Sequence, residues 1–162
     1  MSELTHIDDK GRVRMVDVTD KKSSARSAVA QATVHMNAET FQRIVAGTVS
    51  KGNVLETARI AGVMAAKKTA DLIPMCHPLN LTHVQVDFFP DAQTHAIRIQ
   101  GTARIVDQTG IEMEALTAVS IAALTLYDMC KAIDKAMIIT DVCLLKKSGG
   151  KSGTFTREPA TP

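Results

Sequence analysis

Two helical stretches with almost no polar side constrain this chain more than anything else in it. Residues 53–70, NVLETARIAGVMAAKKTA, follow capping candidates at Ser50 and Asn53 and are apolar on more than one side. Residues 113–134 repeat the pattern, with Ala115, Leu116, Val119, Ile121, Ala122, Leu124, Leu126 and Met129 covering much of the circumference. A helix on a monomer's surface keeps a broad polar face, so both stretches need cover beyond their own sheet. A second copy of the chain is the economical cover.

The segments around them sort by period. DLIPMCHPLN, residues 71–80, holds two Pro and cannot continue the first helix. It leads into an antiparallel pair: Val84, Val86 and Phe88 share one face of LTHVQVDFF, and Ile97, Ile99, Ala103 and Ile105 meet the same core from HAIRIQGTARIVD. PDAQ, residues 90–93, supplies the turn between them. SAVAQATVHM, residues 27–36, alternates as a strand, and Asn37 caps a short helix that ends at Gly47. MIITDVCLLKK, residues 137–147, is a final strand, and Arg12–Val18 an optional edge strand. The order β, helices, β, β, α, β predicts an α+β ferredoxin-like sandwich, a four-stranded antiparallel sheet with helices packed on one face. One catalytic-size domain spans 12–147, between a flexible N-terminal tail, 1–11, and a flexible C-terminal tail, 148–162.

Charge and composition exclude several functions. Nineteen Lys and Arg against seventeen Asp and Glu leave +2, so an anion site must come from local placement. Four Phe, one Tyr and no Trp give no aromatic platform for a run of bases, and no nucleic-acid partner is expected. The start, MSELTHIDDKGRVR, is too polar for a signal peptide, and no uninterrupted apolar segment is long enough to cross a membrane. Three Cys without paired spacing fit a reducing cytoplasm. The five His and three Cys form no CxxC, HxxxH or HExxH pattern, so no metal ligand set is expected. No tightly bound cofactor is expected either; Mg²⁺ carried on substrate phosphates leaves no such signature and stays open.

Candidate chemistry lies in five places, the last a pair of basic segments. Asp128 and Lys131, three residues apart, share a helical face that is otherwise nearly uncharged. They are either an exposed ion pair or a proton-transfer group in a partly dry cleft. Lys51 precedes Gly52 and Asn53 at a helix start, where free N–H groups and an ammonium can cradle phosphate. SKGN is weak alone, for no P-loop or GxGxxG is present. Cys76 and His77 are adjacent in a constrained loop, so they need not face each other, and His77 serves better as a donor to substrate than as half of a Cys–His dyad. Glu112 and Glu114 complement a helix dipole or line a site, and Glu114 lies about 21 Å from Asp128 along one helix. One small molecule cannot easily touch both ends, unless the Glu112 end of one subunit meets Asp128 and Lys131 of another. The basic segments DKKSSAR, residues 20–26, and LKKSGGKSG, residues 145–153, are either solvated loops or covers that bring Lys22, Arg26, Lys146 and Lys147 over a polyanion.

VDVTDK, Ser50–Asn53, MCHPL, GIEMEALTAVS, LYDMCKAIDK and KKSGGKSG together resemble the cyclic pyranopterin monophosphate synthases, the molybdenum cofactor biosynthesis protein C family, over residues 12–158. The resemblance implies conversion of 3',8-cyclo-7,8-dihydroguanosine triphosphate, made by a radical S-adenosylmethionine partner, to cyclic pyranopterin monophosphate and pyrophosphate. It implies a homohexamer, a trimer of dimers with active sites between subunits. Carried onto this chain, Lys51 and Lys131 are an acid–base pair with Asp128 tuning Lys131. Glu112 and Glu114 hold the purine-derived part, His77, Lys147 and Arg26 neutralise the triphosphate, and Met113 and Cys76 line the pocket without reacting. The tails are expected to order around bound phosphate. A non-catalytic sensor of a purine-derived triphosphate is the rival of a different class, with a purely structural oligomer behind it.

Overall fold

The centre of the molecule is built on alanines. In strand β1, Ser24–His35, every second residue from Ala28 through Ala30 and Ala32 to Val34 is fully buried, and small side chains let a helix lie close above. The structure is a computed structural model that describes residues 10–158. Most of the expected N-terminal tail and the last four residues of the C-terminal one lie outside the described residues.

After β1 come helix α1, Ala38–Val45, helix α2, Val54–Ala66, and a single turn α3, Thr69–Leu72. Strands β2, His83–Asp91, and β3, Ala96–Asp107, form the hairpin; helix α4 spans Glu112–Cys130 and strand β4 Ile138–Ser148. A two-residue strand β5, Phe155–Thr156, completes an antiparallel sheet of order β2-β3-β1-β4-β5. The first four strands keep the ferredoxin-like order, and α4 packs on β1, β3 and β4 with α2 beside it. Expected as four-stranded, the sheet has five strands, because Phe155 and Thr156 pair with Lys147 and Lys146 along the edge that β4 would otherwise leave open.

Several boundaries differ for local reasons. The edge strand expected over Arg12–Val18 is absent apart from one isolated pairing at Val13; Val13 and Met15 are exposed, while Val16 is partly buried against the body. Ser24–Arg26, read as loop, belong to β1 because β3 runs on to Asp107 and offers them a ladder. The helix expected to reach Ala70 breaks at Lys67–Lys68, where the Thr69 hydroxyl donates 3.0 Å to the carbonyl of Ala66. The turn after β2 falls at Ala92–His95 rather than at PDAQ, since the Asp91 carboxylate accepts from the Gln93 N–H at 2.9 Å and the Thr94 hydroxyl at 2.8 Å. Pro90 is tolerated inside β2 because β2 is an edge.

Helix α4 ends at Cys130, four residues before the expected Asp134. Asp134 is the cause: its buried carboxylate accepts the Asn37 N–H at 2.8 Å and the Ala136 N–H at 2.9 Å, folding the chain back toward α1. By length and composition alone α4 could cross a bilayer, but it is interrupted by Glu112, Glu114 and Asp128 and half of it is buried against the sheet and α2. The outer surface keeps an apolar excess: Ile60, Met64 and Leu124 are each more than half exposed.

Candidate active site

Seven of the ten residues singled out in the sequence converge at the N-terminal end of α4. The loop Met75–Leu79, the first turn of α4 and Ser152 enclose a cavity of about 440 Å³ lined by Cys76, His77, Glu112, Met113 and Glu114. Pro74 sits in a tight turn closed by the N–H of Cys76, which donates 3.0 Å to the carbonyl of Ile73, and Cys76 and His77 leave directly from that turn. Next to this cavity a narrow cleft is lined by Arg26, Glu112, Lys147 and Gly149. There the ammonium of Lys147 lies 3.9 Å from the Glu112 carboxylate and also donates to the Ser152 hydroxyl.

The electrostatics of this end are set by burial. Glu114 is only 3% exposed, and loss of water pushes its carboxyl up to about 7, with the charge of Glu112 adding to the rise. Burial, and secondarily Glu114, also raises the Cys76 thiol, so Cys76 is a neutral pocket wall rather than a thiolate nucleophile. Arg26 is half committed: its Nε donates 3.0 Å to the carbonyl of Asp107 and its Nη2 2.9 Å to that of Gln108. It therefore braces the β3–α4 loop while its Nη1 faces Gly150.

The other three residues meet at the far end of α4. Lys131 lies 2.8 Å from Asp128 Oδ1, and Lys51 lies 3.6 Å from Oδ2 while donating 2.8 Å to the Asp128 carbonyl. Lys51 reaches there from the turn before α2, where Gly52 takes φ +103°, a conformation open to glycine. The hydrogen bond and charge of Lys131, then the charge of Lys51, hold the Asp128 carboxyl below its usual range. In return Asp128 raises the Lys131 ammonium above its own. The two clusters stand at opposite ends of one helix of 19 residues, so one chain does not bring all ten residues together. Among the described residues no three of His, Cys, Asp and Glu come together as a metal-binding group.

The profile of the MoaC family matches residues 15–150, a span that takes in both clusters. The chain belongs to the MoaC family. Relatives similar over nearly the whole chain carry the name cyclic pyranopterin monophosphate synthase. One from Desulforapulum autotrophicum is 64% identical over 155 residues, covering 96% of this chain and 95% of its own. Another from Desulfatibacillum aliphaticivorans is 61% identical over 158 residues, covering 98% and 99%, and one from Thermoanaerobacter is 54% identical over 155 residues. For this MoaC chain the sequence reading overlooked Lys21, Thr109 and Ser152 as individual wall residues of the cavity. Their signal was present in VDVTDK, in the loop before GIEMEALTAVS and in KKSGGKSG, but no spacing rule links segments so far apart.

Proposed function

We propose that this chain is a cyclic pyranopterin monophosphate synthase of molybdenum cofactor biosynthesis. It would convert 3',8-cyclo-7,8-dihydroguanosine triphosphate to cyclic pyranopterin monophosphate and pyrophosphate by general acid–base catalysis. The observation that carries the reading is the Lys51–Asp128–Lys131 cluster, in a chain that matches the so-named relatives from end to end. Two ammonium groups around one carboxylate can pass protons to and from nitrogen and carbon centres as the guanine-derived ring opens and recloses. Lys131, whose ammonium is favoured by Asp128, enters as the acid. Glu112 and Glu114 receive the donor-rich purine-derived part, with Cys76 and Met113 as walls. A ribose hydroxyl then attacks the α-phosphorus, its proton passes to a base, and the bond to the bridging oxygen breaks to release pyrophosphate. His77, Arg26 and Lys147 neutralise the phosphate charge as it moves. Mg²⁺ would enter bound to the substrate phosphates rather than to a protein cage.

The assembly completes the proposal. A homohexamer, a trimer of dimers, would cover Ile60, Met64 and Leu124 and bring the Glu112 end of one subunit to the Asp128 end of the next. Such an enzyme works in the cytoplasm, downstream of a radical S-adenosylmethionine partner, and three free thiols agree with that compartment. The test is direct: anaerobically prepared substrate is mixed with wild type, Lys51→Ala and Lys131→Ala, and products are resolved by mass. Cyclic pyranopterin monophosphate plus pyrophosphate from wild type alone is expected. Substrate bound but unchanged by folded wild type would replace the enzyme with a sensor.

A further inference from the structure

Lys131 sits where a helix is ordinarily held least well. It follows the last residue of α4, and no helix or strand intervenes between it and β4 at Ile138. Helix ends fray, and their last carbonyls lack partners within the helix. The Lys131–Asp128 ion pair does little to prevent this, since both side chains are half exposed and an exposed pair contributes little. Three ties beneath the pair hold the backbone instead. The N–H groups of Ile133 and Asp134 both donate to the Cys130 carbonyl, at 2.8 and 3.1 Å, and close a turn directly after Lys131. The Tyr127 hydroxyl donates 3.1 Å to the Lys135 carbonyl. The third tie is the buried Asp134 carboxylate, whose Oδ2 accepts the Asn37 N–H at 2.8 Å and whose Oδ1 accepts the Ala136 N–H at 2.9 Å. Of the three, only the carboxylate reaches another element. Its anchor is rigid: Asn37 caps α1 by accepting the Thr40 N–H at 2.8 Å, and the Met36 N–H donates 3.1 Å to the His95 carbonyl.

We infer that Asp134 is a positioning residue for Lys131: through Asn37 and Ala136 it fixes the turn after α4, and so keeps the Lys131 ammonium 2.8 Å from Asp128. This rests on the acid–base reading given under Proposed function, and it adds a residue that reading does not use. Asp134 acts through the direction of two hydrogen bonds rather than through its charge. An acid on a longer arm therefore cannot replace it. The groups that face the Lys131 ammonium are Asp128 and Tyr127 on its own helix, while Lys51 shares Asp128 from the turn before α2.

The test compares full-length wild type with Asp134→Asn, Asp134→Glu and Ala136→Pro. Asparagine keeps the size but turns an amide N–H toward one of the two backbone donors. Glutamate keeps the charge, and proline removes one donor while the carboxylate stays. The Asp134 variants should each lower kcat by up to about a hundredfold while KM changes far less, as misplacement of a reacting group does. Ala136→Pro should fall between them and wild type. The alkaline limb of the kcat profile should move to lower pH, because a Lys131 ammonium that leaves Asp128 deprotonates earlier. The same shift is read without substrate by NMR titration of protein carrying 15Nζ-labelled lysine, with the Lys131 signal assigned by its absence in Lys131→Arg. Circular dichroism melts confirm that each variant is folded. Wild-type kcat and an unmoved Lys131 titration in folded Asp134→Asn overturn the positioning role, as does Asp134→Glu that keeps both. Should neither Asp134 variant fold, the same two readings unchanged in Ala136→Pro overturn it. A Lys131 titration that moves in a protein that never turns substrate over would leave the positioning standing and remove the enzyme reading. Turnover by wild type with an unmoved titration in Asp134→Asn would do the reverse.

Discussion

A carboxyl that titrates near neutrality inside a protein couples its protonation to folding, and Glu114 is such a group. Its folded pKa lies above its unfolded one, so the folded state holds an extra proton between about 4.5 and 7. Stability is accordingly greatest below that window and falls as pH rises through it. Glu114→Gln should melt higher than wild type at pH 8, by the equivalent of up to about 3 kcal/mol, and match it at pH 4. Thermal melts of both proteins across that range would check it. Asp128 has the opposite sense, with its carboxyl held down and the Lys131 ammonium held up. Asp128→Asn should therefore move the alkaline limb of the kcat profile to lower pH, because an acid that loses its counter-charge deprotonates earlier. An unmoved limb would remove Lys131 from the acid role. The types and grouping of these residues were legible in the sequence, but Glu114's depth was not, for glutamate in a first helical turn usually faces water.

At the scale of elements, close packing decides what is tolerated. A Cβ on Gly62 would meet the Ala118 carbonyl at 2.8 Å and Val86 Cγ2 at 3.2 Å. Gly62→Ala gains about 1 kcal/mol of helix propensity, but forcing α2 off α4 costs about 1–3 kcal/mol, so a net loss is expected in urea denaturation. Strands β1 and β3 could be read from their period because each buries alternate residues, Ala28 to Val34 and Ile97 to Ile105, whereas α4 was legible from its all-round apolar content. The end of α4 at Cys130 could not be read, since the carboxylate of Asp134 that turns the chain finds its partner, Asn37, 97 residues away. The helix split at Lys67–Lys68 was hidden for a different reason: the residues there are ordinary helix formers, and the break comes from a hydroxyl bonding back to the preceding turn.

For the whole molecule the question is which chains supply one site. The distance argument along α4 was available from sequence and is met by the two separated clusters, while the cavity walls contributed by Lys21 and Ser152 depend on long-range closure that no local pattern reports. If a site joins the Glu112 end of one subunit to the Asp128 end of another, two inactive variants can complement each other. Glu112→Ala and Lys131→Ala, each inactive alone, should recover about a quarter of wild-type turnover when co-assembled at equal amounts, the share of sites that draws both intact halves at random. No recovery in mixed oligomers verified by native mass spectrometry would confine the site to one chain.

The short pairing of Phe155 and Thr156 with β4 changes what the glycine-rich segment before it is. Held by strands on both sides, residues 149–154 are a strap between two posts rather than a loose end, and a strap has far fewer ways to miss its target. A chain stopped after Thr154 keeps every residue that lines the cavity, yet it frees one post. Its KM for the triphosphate substrate should rise by about tenfold through the added search alone. The molecule would then owe part of its grip to two residues that never touch what is gripped.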